Sequence, residues 1–300
     1  MTKQTKNIAA SARARLLRIA KENSRNFNAV LLQYFQERML YRLSISSYKL
    51  NFILKGALLF LIYDLPPTRL TKDIDFLGMN TDNTKENLTK TMKEILSIEV
   101  DDGVQFDIRK ITAEDITEKA EYKGVRIHCE ATLEQARSRF HFDIGFGDQI
   151  VPEPIMLEFP VLLADMPVPT LVAYTPETAI AEKFEAMVKL GYANSRMKDF
   201  YDIYHMAHNF SFNSKILSEA INTTFSNRNT ELKEKSIIFS NDFKQNLEKN
   251  KQWKAFQLKN NIELDIEFRD CLDFIQLFIE PALSEEKIKS WDCYQLKWLE

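Results

Sequence analysis

The chain has 300 residues, which is enough for one large domain or two of ordinary size. Hydrophobic residues make up 45% and charged residues 28%, a balance typical of globular proteins, and no apolar run is long enough to span a membrane. The formal net charge of -3 excludes a protein that binds nucleic acid through its bulk charge. Three cysteines without a CxxC pair argue against a zinc site or a disulfide framework and indicate the reducing cytoplasm.

Apolar residues in the first 50 positions recur with helical spacing, as at Val30, Leu31 and Tyr34, so this segment is predicted to be helical. Five basic residues mark its early part: Arg13, Arg15, Arg18, Lys21 and Arg25. Such a run is more typical of a solvated helix face than of a nucleic-acid surface, and we favour the solvated face.

From residue 51 the pattern changes to that of a mixed sheet. Residues 51–56 are predicted to form a strand that ends in a turn at Lys55 and Gly56, and residues 57–65 a buried helix. A second strand is predicted over residues 70–77 and a helix over residues 83–96. Further strands are predicted over residues 104–111, 125–132 and 139–146, with 155–163 as another candidate. Strands with few helices between them predict an α+β fold with a mixed β-sheet.

After residue 168 the pattern becomes helical. Thr175 is a typical N-cap, Pro176 suits the first helical position, and Gly191 is placed to end this helix. A second helix is predicted from Asn194 to about Asn209, and the rest of the chain is predicted to be mainly helical. We therefore expect a core with N-terminal helices over residues 1–170 and a helical C-terminal domain over residues 171–300.

Two carboxylates stand two positions apart in the predicted strand of the sequence KDIDF. Residues i and i+2 of a strand project from one face, so Asp73 and Asp75 point the same way, while Ile74 and Phe76 point into an apolar face. Neighbouring carboxylates repel each other, and a bound cation removes that cost. Mg²⁺ suits such a site because it takes a few carboxylates and completes its shell with water and phosphate oxygens.

Asp143 is a third acid of the same kind. In RFHFDIGF the aromatic residues share one strand face, and His141, Asp143 and Gly145 share the other. If this strand neighbours the first, three carboxylates converge on a metal. Asp107 is a rival third acid, although Arg109 and Lys110 follow it and offer simple ion pairs. We expect His141 to support the fold or a ligand rather than to bind the metal itself.

Two further segments carry candidates for binding a nucleotide. Lys55, Gly56 and Ala57 end a strand and open a helix, a geometry that presents backbone N–H groups to an anion. Charged residues crowd the first pair of C-terminal helices: Glu182, Lys183, Lys198, Asp199 and Asp202. The lysines are placed to hold a triphosphate and the acids to orient them, although pairs at this spacing often only brace a helix.

Taken in chain order, these motifs resemble the AbiEii/AbiGii-type nucleotidyltransferase toxins of bacterial abortive-infection and toxin–antitoxin systems. The segments that carry the resemblance read FILKGALL, TRLTKDIDF, FHFDIGFGD, TAIAEKFEAM and SRMKDFYDIYHM. The resemblance implies a nucleotidyltransferase-type core, a helical lobe that completes the active site, Mg²⁺, an NTP substrate, a cytoplasmic location and a cognate antitoxin. It also implies an RNA acceptor, the 3' end of tRNA, and a role in phage defence.

The resemblance also assigns roles to residues of this chain. Asp73, Asp75 and Asp143 become the metal ligands and catalytic carboxylates. Lys183 and Asp199 become further catalytic residues. The nucleotide-binding residues become Lys55, Gly56, Ala57, Arg69, Glu182, Lys198 and Asp202.

One departure from the family pattern keeps two alternatives open. The family loop usually reads Gly-Gly or Gly-Ser, whereas this chain has Ala57 after Gly56, which lacks both the flexibility of Gly and the hydroxyl of Ser. This favours, as one alternative, a catalytically weak nucleotide-binding module on the same fold. The mildly acidic charge favours, as another, a nucleotidyltransferase that modifies a protein, because tRNA binding normally requires a basic groove.

Overall fold

The computed structural model of the chain describes residues 7–63, 71, 73–116, 124–262, 266–284 and 289–300. It divides the chain into two compact units, the first comprising Met1–Gly147 with Ile155–Ala173 and the second comprising Asp148–Pro154 with Tyr174–Glu300. The predicted α+β class, with a mixed sheet, N-terminal helices and a helical C-terminal part, is confirmed. Within the described residues, no helix combines the length and the apolar character needed to cross a membrane.

The first unit is built from helices and one mixed sheet. Its helices are α1 (Ile8–Glu22), α2 (Phe27–Ile45), α3 (Leu59–Ile62) and α4 (Lys85–Leu96). Its strands are β1 (Phe52–Lys55), β2 (Asp73–Gly78), β3 (Gln105–Phe106), β4 (Thr112–Ile116), β5 (Gly124–Leu133), β6 (Ala136–Gly145), β7 (Ile155–Glu158) and β8 (Thr170–Ala173). The side chains of Asn7 and Asn26 start the first two helices by accepting hydrogen bonds from backbone N–H groups.

The sheet has the order β3-β5-β6-β2-β1-β8-β7, with β4 also paired to β5. Strand β2 runs parallel to β6, and β1 runs parallel to β8, whereas the other pairs are antiparallel. One face of the central strands is fully buried, as at Phe76, Phe142 and Ile144. Helix α2 contacts β6 and β8. The polar side chains that alternate with these apolar residues therefore lie on the opposite face.

The hairpin between β5 and β6 sets the register of the polar face. Only Glu134 and Gln135 connect the paired residues Leu133 and Ala136, and Glu134 has a φ of 54°. A two-residue turn with a positive φ matches the twist of the flanking strands and fixes which residues face each other. Arg126 is placed opposite Asp143 as a result.

Three predicted elements of this unit are shorter than expected. The predicted strand over residues 104–111 is only the two-residue β3, because Asp107 accepts a hydrogen bond from the backbone N–H of Arg109 and starts a 3-10 turn there. The predicted helix over residues 57–65 is a 3-10 turn, Gly56–Leu58, followed by the one-turn α3. Of residues 155–163, only Ile155–Glu158 form a strand.

The second unit packs helices around aromatic side chains. Its helices are α5 (Pro176–Leu190), α6 (Met197–Asn209), α7 (Ser214–Asn227), α8 (Lys235–Ile238), α9 (Asn241–Lys244), α10 (Leu247–Lys259) and α11 (Phe268–Ala282). Helix α5 begins as predicted, with the Thr175 side chain accepting from the Thr178 N–H, and it ends at Gly191, which has a φ of 45°. The indole N–H groups of Trp253 and Trp291 both donate to backbone carbonyls.

The prediction of a mainly helical C-terminus missed a three-stranded sheet. Its strands are β9 (Phe212–Asn213), β10 (Ser290–Asp292) and β11 (Lys297–Leu299), in the order β11-β10-β9. Trp291 and Trp298 face each other across β10 and β11 and lie against Phe278 of α11. These aromatic contacts stabilise strands that are too short to show an alternating pattern in sequence.

Candidate active site

A row of charged residues crosses four strands on the polar face of the first unit. Asp75 of β2 lies opposite Asp143 of β6, because these two strands are parallel and in this register. On the outer side of each acid stands a cation: Lys55 of β1 lies opposite Asp75, and Arg126 of β5 lies opposite Asp143. Directly opposed residues on paired strands share a face, so the order across the sheet is Lys55, Asp75, Asp143, Arg126.

Two residues earlier on β2 and β6, a histidine lies close to two of the predicted metal-binding carboxylates. Asp73 lies opposite His141, and His141 Nε2 is 2.7 Å from Asp73 Oδ1 and 4.0 Å from Asp143 Oδ1. One ligand atom from each of Asp73, His141 and Asp143 fits within 4.8 Å of the other two. His141 Nε2 is buried and makes no hydrogen bond to a described residue. This donor set and its unpaired nitrogen fit a divalent cation, so the group can hold one.

Arg126 holds Asp143 with both ends of its guanidinium fork. Its Nε donates to Asp143 Oδ1 at 2.8 Å and its Nη2 to Asp143 Oδ2 at 2.7 Å. The hydrogen bonds to Asp143 raise the pKa of Arg126. A two-point contact of this kind fixes the plane of the carboxylate, and its charge offsets part of the local excess of acid.

The carboxylate of Asp75 is directed at Gly56. A Cβ atom built on Gly56 would lie 2.0 Å from Asp75 Oδ2, far inside contact distance, and Gly56 has a φ of 73°. Glycine is therefore required here both by the backbone conformation and by the close approach of Asp75. The close approach of Asp75 explains the glycine after β1 more fully than the turn alone.

The remaining candidates of the first unit have different positions. Lys55 Nζ lies 3.9 Å from where a Cβ on Gly145 would be, so its ammonium reaches across β2 towards the end of β6. Ala57 lies inside the 3-10 turn Gly56–Leu58. Arg69 lies outside the described residues. Asp107, the rival candidate for the third acid, forms ion pairs with Arg109 and Lys110.

In the second unit, Lys183 lies between two buried carboxylates. Its Nζ is 2.5 Å from Asp202 Oδ2 and 3.3 Å from Asp199 Oδ1, and Arg196 Nε is 2.7 Å from the other oxygen of Asp199. Burial alone would lower the pKa of Lys183, but the charges of Asp202 and Asp199 outweigh burial and raise it. Lys183 is therefore a cation at neutral pH and is unsuited to act as a base.

Asp199 is the more buried partner of this cluster. Burial raises its pKa, but Lys183, Arg196 and Lys198 together overcome that effect and lower it. The structure thus brings Lys183, Lys198, Asp199 and Asp202 into one electrostatic group on α5 and α6.

Glu182 belongs to a different cluster, although it precedes Lys183 in the chain. Its Oε1 is 3.0 Å from Arg228 Nη2 and accepts a hydrogen bond from Tyr174. Arg228 also pairs with Asp148 and Glu185, and these three acids overcome the effect of burial and raise its pKa. Because adjacent helical residues point about 100° apart, Glu182 and Lys183 serve different sets of partners.

Sequence reasoning missed two residues of the first site. Arg126 was overlooked although VRIHCEAT alternates and places Arg126, His128 and Glu130 on one face. A two-residue turn recognised at Glu134 would have paired Arg126 with Asp143. His141 was expected to support the fold or a ligand, and the structure places its Nε2 2.7 Å from Asp73 Oδ1 and within the group of possible ligand atoms.

Comparison with known proteins indicates the family to which the chain belongs. The family model described as nucleotidyl transferase AbiEii toxin, Type IV TA system, matches residues 38–274. JHP933 from Helicobacter pylori shares 13% sequence identity at a TM-score of 0.49, over 86% of this chain and 93% of that one. A second H. pylori structure, provisionally described as a nucleotidyltransferase, shares 13% identity at a TM-score of 0.46, over 86% and 96%. No curated protein matches the chain.

The protein is therefore a nucleotidyltransferase. The family match covers more than half of the chain, so it belongs to the AbiEii family of nucleotidyltransferase toxins from type IV toxin–antitoxin systems. Membership implies a nucleotide substrate and a cognate antitoxin. Nucleotidyltransferases generally use a divalent metal ion, and the group of Asp73, His141 and Asp143 can hold one.

Proposed function

We propose that the protein transfers a nucleotide from an NTP to RNA, at the 3' end of tRNA, with Mg²⁺ or a similar ion at the polar face of the first unit. The observation that carries this proposal is the register that sets Asp75 beside Asp143 and Asp73 beside His141 on adjacent parallel strands. Carboxylates converge there although they repel each other, which is the arrangement of a cation site rather than of a solvated edge.

Each residue of the site has a role in this reaction. Asp73, Asp75 and Asp143 are assigned to the metal, and Arg126 keeps Asp143 in one orientation. Lys55 is assigned to a phosphate oxygen of the NTP, since its ammonium extends towards the acids, and the backbone N–H groups of Gly56 and Ala57 to another. When bound, the ion would neutralise charge on the triphosphate, which favours attack of the acceptor hydroxyl on the α-phosphorus and release of pyrophosphate.

Basic residues on the same sheet face support an RNA acceptor. Arg139 stands two positions before His141 on β6, and Arg137 two before that, so both share the face of Asp143. Arg137 is exposed, and the side chain of Arg139 is 80% exposed. Hydrogen bonds from Lys110 and Arg139 lower the pKa of Glu130 to about 2, so Glu130 is ionised at neutral pH. Its negative charge offsets part of the positive charge of the two arginines. The arginines of α1 give less support, since Arg15 pairs with Asp165 and Arg18 lies near Glu22.

The roles of Lys183, Lys198, Asp199 and Asp202 in binding or transfer are proposed from the family resemblance. The buried ion pairs support a fixed cation at Lys183, which suits a group that orients phosphate or its ligands. Glu182 is a weaker candidate, because Tyr174 and Arg228 hold it within another cluster. We place the reaction in the cytoplasm, where NTP and tRNA occur together.

The test is transfer from each of four labelled NTPs, with Mg²⁺, to total bacterial tRNA and separately to total protein. Wild type is expected to label tRNA, and Asp75→Asn is expected to lower transfer at least about 10³-fold, since a metal site supplies several kcal/mol of transition-state stabilisation. Asp107→Asn is the matched control, because Asp107 only starts a turn and pairs with its neighbours, and it should keep full activity.

Three outcomes would change the proposal. Label on protein alone would keep the chemistry and replace the acceptor. Full activity of Asp75→Asn would remove the site from the reaction. Tight NTP binding without transfer to either acceptor, in a folded protein, would favour the binding module that Ala57 suggests.

A further inference from the structure

His141 presents a buried nitrogen to the acids without bonding to either. Its Nε2 lies 2.7 Å from Asp73 Oδ1 and 4.0 Å from Asp143 Oδ1, and neither contact, among the described residues, is aligned as a hydrogen bond. Buried ring nitrogens of histidine normally have a partner. A nitrogen this close to a carboxylate oxygen, yet not directed at it as a donor, can share a third partner with that oxygen.

The two distances fit ligands of one octahedral ion. With bonds of about 2.1 Å, adjacent ligand atoms stand about 3 Å apart and opposite ones about 4.2 Å apart. The separation from Asp73 is close to the first value and the separation from Asp143 to the second. Both separations from His141 Nε2 are therefore compatible with one octahedral ion that binds all three side chains.

We propose that His141 Nε2 is a direct ligand of the divalent ion, beside Asp73 and Asp143, and that this nitrogen makes the site prefer a first-row transition ion such as Mn²⁺ to Mg²⁺. The proposal rests on the proposed function only in taking this group as the metal site. It reverses the sequence-based expectation that His141 merely supports the site.

The preference follows from the chemistry of the ligands. Mg²⁺ takes oxygen ligands and gives up its water reluctantly, whereas imidazole suits transition ions. Arg126 strengthens this preference, because its two hydrogen bonds neutralise part of the negative charge on Asp143. A hard cation such as Mg²⁺ depends mainly on that charge for its binding. A site with one nitrogen ligand and one partly neutralised carboxylate thus favours a transition ion, which binds the nitrogen more strongly than Mg²⁺ does.

His128 provides a matched control on the same face. It lies opposite His141 on β5, with ring centroids 5.7 Å apart. Its Nε2, however, lies 3.0 Å from Glu114 Oε1 and is already paired, and its side chain is 45% exposed. His128 therefore resembles His141 in position, but its Nε2 is paired with Glu114, whereas that of His141 is not hydrogen-bonded within the described residues.

The experiment is pulsed electron paramagnetic resonance of Mn²⁺ bound to the full-length protein. Wild type and His128→Asn are expected to show the modulation of a directly coordinated ¹⁴N nucleus, which becomes a ¹⁵N pattern when histidine is isotopically labelled. His141→Asn is expected to lack it. Loss of a group that only supports a metal ligand costs 10- to 100-fold in metal affinity, and loss of a direct ligand should cost at least as much. The Mg²⁺ concentration that displaces half of the Mn²⁺ should therefore fall at least about tenfold in His141→Asn.

Two results would overturn the inference. One is Mn²⁺ bound to wild type without nitrogen coupling, or not bound at all, which needs no variant and is independent of any folding defect. The other is nitrogen coupling that persists in His141→Asn. Transfer activity separates this inference from the proposed function: oxygen-only Mn²⁺ with active transfer overturns the ligand role alone, whereas nitrogen coupling without transfer to any acceptor overturns the function alone.

Discussion

Gly56 leaves the space that the carboxylate of Asp75 occupies. A methyl group at Gly56 would meet Asp75 Oδ2 at 2.0 Å and Asp75 Cγ at 2.7 Å, so residue 56 of the turn after β1 determines where the acid of β2 can lie. The two residues are linked by the antiparallel register of β1 and β2, in which Lys55 faces Asp75. Gly56 thus controls the position of a carboxylate that we propose as a metal ligand.

Gly56→Ala is expected to lower nucleotidyl transfer by at least about 100-fold, because a displacement of about 1 Å in a catalytic group can cost that much. The measurement is the initial rate of transfer, with folding checked by circular dichroism. Gly191→Ala is the matched control: Gly191 also has a positive φ, but a Cβ there meets nothing within 4 Å. Equal losses in the two variants would assign the effect to backbone strain and contradict the role of Asp75.

Arg126→Lys is expected to lower transfer by about 10- to 100-fold, the usual cost of losing a group that orients a metal ligand. Lysine keeps the charge but cannot hold both oxygens of Asp143. Arg109→Lys is the control, since the Arg109 side chain is 93% exposed and its Nε pairs with the carboxylate of Asp107, away from the proposed metal site. Steady-state rates at saturating metal measure the effect, and a fully active Arg126→Lys would show that Asp143 needs no fixed plane.

The strand alternation of the sequence was sufficient to place three acids on one polar face. The period of two residues in KDIDF and RFHFDIGF survives in β2 and β6, with Ile74, Phe142 and Ile144 fully buried behind the acids. The sequence could not predict that Asp73 faces His141, because this pairing depends on the register of two parallel strands that are far apart in the chain. No local rule sets such a register.

Elsewhere local chemistry overrode the pattern. Asp107 alternates with apolar residues as in a strand, but its side chain bonds to the backbone two residues on and ends β3. In α5, Glu182 and Lys183 are neighbours in sequence but have separate partners, because a helix turns them apart. A crowd of charges in sequence therefore predicts ion pairs but not which residues pair.

Lys183→Met is expected to lower the free energy of unfolding of the second unit by about 3 kcal/mol or more, because it leaves the buried Asp199 and Asp202 without their shared cation. All three tryptophans, Trp253, Trp291 and Trp298, lie in this unit, so their fluorescence in urea reports its unfolding. Lys254→Met, at an exposed position, should change stability by less than about 0.5 kcal/mol.

Adding Asp202→Asn to Lys183→Met separates structure from function. Removing one of the two carboxylates is expected to restore part of the lost stability, since the remaining acid then lies beside a neutral amide. A stable but inactive double variant would show that Lys183, Asp202 or both act in the reaction. A stable and active double variant would show that the ion pair only stabilises the packing of α5 on α6. It would contradict the catalytic role that the family resemblance assigns to Lys183.

His205 is expected to make the second unit lose stability in mild acid. Burial first, and then the nearby His208, lower the pKa of His205 to about 4, and its ring packs against Tyr201 with centroids 4.3 Å apart. The pKa in the folded chain is below the ordinary value of 6.5, so the stabilising contribution is present above pH 6.5 and is lost as the pH falls towards 4. Below that range the ring must become charged in a buried position.

Replacing His205 by phenylalanine removes the titration and keeps a ring against Tyr201. The urea midpoint of tryptophan fluorescence, measured from pH 7.5 to pH 4, should fall less steeply in His205→Phe than in wild type, with the difference concentrated between pH 6.5 and pH 4. Above pH 7 the two profiles should run parallel, because His205 is neutral there in both folded and unfolded chains. Identical slopes across the acid range would show that His205 is charged at no greater cost in the folded unit than in the unfolded chain.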